Sequence, residues 1–184
     1  MKPPPLLQCT QPQLMAGLRA AAAVEALFSD EDWLRTYHYA ENFHPGVDLA
    51  TFDNGGGDDM HILSSHDGVI IKGFDHESPV SPYARDDHSP WPGIFEGVPA
   101  PLLRLLDDPA IRKDDITFLH WLPAGAAQWS RGPVSFPDGE DDGSNWLLRL
   151  LPLKAQDYID IARDYWQADF EKVDLCVIHE RFGV

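Results

Sequence analysis

Apolar residues recur at helical spacing near the start of the chain. Leu14, Leu18, Ala21, Ala22 and Phe28 share one face, with Glu25 as its one polar interruption, so the pattern predicts a helix over 13–28. Ser29 is followed three residues later by Asp32, a start resembling a capping box. It predicts a second, short helix that buries Trp33, Leu34 and Tyr37. Residues 41–57 carry no sustained alternation and read as a loop holding a short strand near 49–52. Two apolar runs follow, about 60–65 and 69–75, with "HDG" between them. Asp-Gly is a strong hairpin signal because Gly68 accepts a positive φ at little cost, so these runs predict a central β-hairpin.

Farther along, "SPVSPYARDDHSPWPGIFEGVPAP" is too rich in proline for a strand or a helix and reads as a long shaped loop. "PLLRLL" predicts a short helix, and "DITFLHWL" and "AAQWS" a pair of strands joined through "PAGA". Tyr158, Ile159, Ala162, Tyr165 and Trp166 mark one face of a helix over 154–168. Residues 170–184 fit helix or strand, with helix favoured. The sum is an α+β class: a small, mostly antiparallel sheet around the hairpin, packed by helices from the N-terminal and C-terminal segments. Residues 1–184 read as one domain, with 1–10 as a flexible tail.

Charge changes this picture most. Lys plus Arg number 14 and Asp plus Glu number 30, so the balance is 14 − 30 = −16. Such a surface repels nucleic acid and anionic membranes, which are held through Lys and Arg. It attracts basic proteins and speeds their arrival, although acidity also serves solubility. Lys2 and "LMAGLRAAAAVEALF" loosely imitate a secretory leader, but the early prolines, Arg19 and Glu25 interrupt the apolar core that export needs. No run of 18 apolar residues offers a membrane span. Cys9 and Cys176 match no metal spacing and read as reduced thiols of a cytoplasmic protein.

The densest chemistry lies in "FDNGGGDDMHILSSHDGVIIKGFDHESP". A phosphate loop presents backbone N–H groups at a helix N-terminus, usually with a lysine. Here three acids, Asp53, Asp58 and Asp59, surround the glycines and a strand follows, so Gly55–Gly57 read as turn geometry. Asp58, Asp59, His61, Asp75 and His76 are all ligand-type residues and form the alternative, a metal site. Alternation places His61 with Leu63 and Ser65, opposite Met60 and Ile62. Asp75 and His76 likewise fall on opposite sides of an extended chain, which disfavours a simple local site. "DGEDDG" copies the opening half of a calcium loop through Asp138, Glu140 and Asp142, but Arg149 stands where the closing glutamate belongs. It reads better as a turn into a helix capped by Ser144. No G-x-S-x-G elbow or activated cysteine is present, so no catalytic residue and no cofactor are assigned.

What remains is the hairpin exit. Lys72 stands among apolar residues and needs a carboxylate, with Asp75 and Glu77 at hand. Asp75 or Ser78 can order the next turn by bonding backbone N–H groups. Together Lys72, Asp75, His76, Glu77, Ser78, Tyr83 and Trp91 form the candidate partner-binding loop.

"DNGGGDDMHI", "IKGFDHES…SPY" and the later "PGIFEGVP" and "FLHW" resemble a family of uncharacterised bacterial single-domain proteins of about this length. The resemblance covers most of residues 53–121 and, more loosely, the "DYIDIARDYW" helix. It implies a bacterial, cytoplasmic domain and supplies no activity and no catalytic residue. The functional expectation is a non-enzymatic acidic binding protein, of the kind that acts as an immunity-type inhibitor or regulator of a basic protein partner. The alternative is a metal-dependent hydrolase or ligand-binding enzyme built on the Asp/His cluster. Oligomeric state is left open.

Overall fold

The computed structural model describes residues 8–137 and 140–183. Helix α1 (Gln11–Phe28) begins with a full capping box, Thr10 and Gln13 each satisfying the other's backbone N–H. Residues 1–7 of the predicted tail lie outside the described residues, but Cys9 is buried and Thr10 is this cap, so order begins before residue 11. The helix buries Leu14, Met15, Leu18, Ala21 and Val24 together with Glu25.

Glu25 explains the first departure from the predicted elements. Its carboxylate accepts from Thr36 N (2.5 Å), Thr36 Oγ1 (2.7 Å), Tyr37 N (3.0 Å) and Trp166 Nε1 (3.3 Å). Burial pushes its pKa up, and these bonds pull against that rise. By holding two consecutive backbone N–H groups it keeps the chain extended at 36–37. The helix predicted after Ser29 is therefore only a 3-10 turn, Asp32–Leu34. Ser29 closes α1 instead of opening a new helix, its N–H donating to Glu25 O. Trp33 ends 77% exposed, while Tyr37 passes into the first strand and is buried.

Six antiparallel strands follow in the order β1-β2-β3-β4-β5-β6. They are β1 (Tyr37–His44), β2 (Val47–Asp53), β3 (Asp59–Ser65), β4 (Gly68–Phe74), β5 (Phe118–Pro123) and β6 (Ser130–Arg131). The predicted central hairpin forms as β3–β4, with Ile62 opposite Ile71 and Ser65 opposite Gly68, so His66 and Asp67 make the turn and Gly68, at φ 129°, opens β4. Of the β1–β2 hairpin the sequence pattern predicts only the short strand near 49–52, with 37–40 assigned to the helix and the rest to loop, because the edge strand "YHYAENFH" is largely polar and exposed and its alternation carries little signal. A bulge between Ala40 and His44, with Asn42 at φ 51°, bends its far end. The predicted "AAQWS" strand shrinks to β6, which pairs through Ser130 and Arg131 alone.

Both faces of the sheet are covered. On one, Tyr37, Ala50, Phe52, Met60, Ile62, Val69, Ile71 and Phe118 pack with α1, α3 (Ser144–Leu147), α4 (Ala155–Trp166) and α5 (Leu175–Arg181). α4 buries Tyr158, Ile159 and Ala162, and Trp166 stacks on Phe28 at 5.0 Å, but Tyr165 stays 44% exposed. On the other face, Leu49, Leu63, Ile70, Leu119 and Trp121 pack under the long 75–117 segment and its helix α2 (Ala100–Arg104), through Ile94, Leu102, Leu106, Ile111 and Ile116. Among the described residues no helix is long and apolar enough to cross a membrane.

Candidate functional site

The site grows from the turn between β2 and β3. Asp53 Oδ1 accepts from Gly55 N at 2.7 Å, and Asn54 Oδ1 accepts from Gly56 N (2.7 Å) and Asp58 N (3.2 Å). Gly55 and Gly57 have φ of 69° and 110°, a region other residues enter only with strain. A Cβ on Gly57 would also press on the His76 ring at 3.2 Å. The glycines thus bring the chain back tightly enough to set Asp58 against His76.

Asp58 is 5% exposed and holds three donors. His76 donates to its Oδ1 from the backbone (3.0 Å) and faces it through Nδ1 (2.8 Å), and Asn54 Nδ2 donates to Oδ2 (2.7 Å). Burial pushes the Asp58 pKa up, but the bonds from His76 and Asn54 outweigh it and hold the carboxyl below its ordinary value. The same bond to Asp58 raises His76 above the ordinary imidazole value. Each member of the pair thus favours the charged form of the other.

Asp75 lies beside them. Ligand atoms of Asp58, Asp75 and His76 all fall within 4.8 Å of one another. The hairpin exit bends here, because Asp75 Oδ1 accepts from Glu77 N and Ser78 Oγ accepts from Val80 N. That bend defeats strand alternation and turns Asp75 and His76 to one side. Trp146 Nε1 donates to Asp75 Oδ2 at 2.9 Å. Gly143, at φ 78°, permits the approach, since a Cβ there would sit 2.4 Å from the same oxygen. Ser78 Oγ donates to Asp141 O and fastens the acidic 140–143 segment to the exit.

The result is a cleft of about 380 Å³ lined by Asp58, Asp75, Glu77, Ser78, Pro79, Glu140, Asp141 and Trp146. Five of those residues are acids, one is an indole, and none is Lys or Arg. Each carboxylate oxygen of Asp75 has spent one lone pair on a bond within the protein, so capacity for a further donor remains.

Of the residues assigned to the loop, Asp75, Glu77 and Ser78 line this cleft and His76 borders it through Asp58. Lys72 does not join them. It is fully buried on β4 and pairs with neither Asp75 nor Glu77 but with Asp59 Oδ1, at 3.0 Å. Asp59, His61 and Lys72 share the sheet face turned toward α2, and Arg112 reaches Asp59 Oδ2 at 2.6 Å. Burial lowers the Lys72 pKa against the pull of Asp59. The five-residue Asp/His set therefore splits: Asp58, Asp75 and His76 meet at the cleft, and Asp59 and His61 belong to the Lys72 cluster. Tyr83 is exposed and donates to Asp115 Oδ1, while Trp91 donates to Ser135 O beneath Arg85. Neither lines the cleft.

In the acidic loop, Asp138 lies outside the described residues. Asp142 is buried and its Oδ1 accepts from Ser144 N and Oγ, so it organises the start of α3. Gly143 takes the cap position predicted for Ser144. Sequence reasoning missed Trp146 and the place of Glu140 and Asp141 beside Asp75, because Thr117 makes that junction. Thr117 Oγ1 accepts from Asp75 N and donates to Asp142 O, a link between distant segments with no local signature.

Comparison with protein-family models, with curated proteins and with solved structures finds no match to this chain.

Proposed function

We propose that this is a non-catalytic acidic binding protein, an immunity-type inhibitor or regulator that engages a basic protein partner by taking an arginine or lysine side chain into the carboxylate cleft. The observation that supports it best is the lining itself: five acids around an indole with no Lys or Arg among them. A guanidinium there meets carboxylates for its N–H fork and an aromatic wall for its face. The net charge of −16 adds long-range attraction for such a partner and repulsion for nucleic acid. Ser78, the hydroxyl in the cleft, donates to the Asp141 carbonyl rather than to a carboxylate or imidazole, which favours binding over nucleophilic chemistry. A bacterial, cytoplasmic setting belongs to the same proposal, supported by the "IKGFDHES" resemblance.

Calorimetric titration with an arginine-rich peptide tests this reading. Binding should weaken steeply with salt. Asp75→Asn combined with Glu77→Gln should lower affinity about tenfold. Absent binding, or affinity unchanged in that double variant, would sink it.

The three-residue meeting of Asp58, Asp75 and His76 favours one second reading, a divalent cation serving a hydrolase or ligand-binding enzyme. It would draw on those three residues, without Asp59 and His61, and would have to displace the Asp58–His76 bond. Titration with Zn²⁺ or Mn²⁺ decides. Stoichiometric binding lost in His76→Ala supports it, and heats equal to buffer alone dismiss it.

A further inference from the structure

The wall of the cleft is also the end of a second depression. Asn54, whose side chain donates to Asp58 at 2.7 Å, lines a groove of about 490 Å³ on the other side of the same turn. Its floor is apolar: Phe52 from β2, Leu150 from the segment after α3, and Ile161 and Tyr165 from α4. Asp160 and Asp164, one helical turn apart, stand among the lining residues, and again none is Lys or Arg. Asp160 accepts from Gln156, but Asp164 has no ion pair among the described residues. Asp53 also contributes negative charge here, being one of the groups that raise Tyr165, after burial and Glu25.

An apolar floor fringed by Asp160, Asp164, Asn54 and Thr36, with no Lys or Arg in the lining, is a mixed environment. It suits an apolar side chain carried on a basic backbone neighbourhood. A purely charged partner would leave the floor wet, and an acidic apolar partner would meet Asp160 and Asp164. The groove and the cleft meet at the Asn54–Asp58 hydrogen bond, since Asn54 lines the one and Asp58 the other.

We propose that the two depressions form one bipartite recognition surface for a short partner segment. An apolar side chain seats in the groove, and a neighbouring arginine or lysine enters the cleft across the Asp53–Asp58 turn. This deepens the binding-protein reading and rests on it: the partner is recognised by a mixed basic and apolar motif rather than by charge alone. Burying the apolar side chain supplies affinity that salt does not screen.

Fluorescence anisotropy with three labelled synthetic peptides tests the proposal: one of arginine and leucine, one of arginine and serine, and one of leucine and serine. The arginine–leucine peptide should bind about tenfold more tightly than the arginine–serine one. Ile161→Ser should remove that difference while leaving arginine–serine binding unchanged. Tyr165→Ser, at an exposed position, repeats the measurement should Ile161→Ser fail to fold. Equal affinity for both arginine peptides would overturn the bipartite surface and leave the cleft reading standing. Tight leucine–serine binding without arginine binding would overturn both. Concentration-dependent self-association abolished by Ile161→Ser would give the groove to a second copy of this chain and overturn the proposal by another route.

Discussion

Asp58 and Asp59 are neighbours in sequence, each 5% exposed, and they have opposite fates. Asp59 turns toward the α2 face and meets Lys72 at 3.0 Å and Arg112 at 2.6 Å, a cluster closed by cations. Asp58 turns the other way, and its ion-pair partner is His76, with Asp75 close by and a cleft of acids beyond. Burial of a carboxylate therefore does not by itself mark a binding site. What marks it is whether the protein supplies enough opposite charge. Around Asp59 it does, and the cluster holds the sheet to the 108–115 segment. Around Asp58 and Asp75 negative charge is left over, and that surplus is what a basic partner would meet.

The largest expected effect breaks the closed side. Lys72→Met leaves Asp59 buried beside an apolar side chain and should cost about 3–5 kcal/mol in urea unfolding. Adding Asp59→Leu should recover most of that loss, because a matched apolar pair replaces a broken ion pair and the half-exposed Arg112 can turn to water. A double variant no more stable than Lys72→Met would refute this account of the cluster.

Next in size is the approach of Gly143 to Asp75. Gly143→Ala should destabilise by about 1–2 kcal/mol and weaken binding of arginine peptides, since both its φ of 78° and its closeness to Asp75 Oδ2 exclude a Cβ. Arg112 offers a finer measurement, because it sits at φ 49° while pairing with Asp59. Arg112→Gly and Arg112→Ala both lose the pair, but glycine relieves the backbone, so the glycine variant should be about 1 kcal/mol more stable than the alanine one in thermal unfolding.

The smallest effect belongs to the open side. NMR titration should place His76 above its ordinary 6.5, and Asp58→Asn should return it toward that value. The sign follows from each partner. The raised His76 contributes stability that is fully present below 6.5 and lost as pH rises through its folded value. The lowered Asp58 contributes stability present above 3.8 and lost as pH falls through its folded value. The difference in unfolding free energy between the protein and Asp58→Asn should thus shrink in alkaline solution. A difference independent of pH would mean that Asp58 acts only as a hydrogen-bond acceptor.

Much of the fold was legible because its signals are local. The 13–28 periodicity, Asp67-Gly68 and the stripe on α4 lie within short windows and name their elements directly. Apart from the polar edge strand β1, whose alternation carries little signal, the main failures share a physical cause, which is long-range hydrogen bonding. Glu25 draws out residues 36–37 and cancels the helix predicted after Ser29. Lys72 could be read as needing a carboxylate, but choosing Asp59 over Asp75 requires the strand register. The acids and histidine of the cleft were visible as residue types. Their convergence was not, because Thr117 and Ser78 bind segments far apart in sequence.

The strand order carries a consequence for biogenesis. Each strand after β1 pairs with the one made just before it, so as the chain leaves a ribosome each of them finds a partner already made. Helix α1 is the exception: made before the sheet, it packs partly on α5, made after it. A nascent chain halted before α5 would carry a finished sheet with part of its oldest helix bare. That exposed stripe is where a chaperone would hold the chain until α5 closes over it.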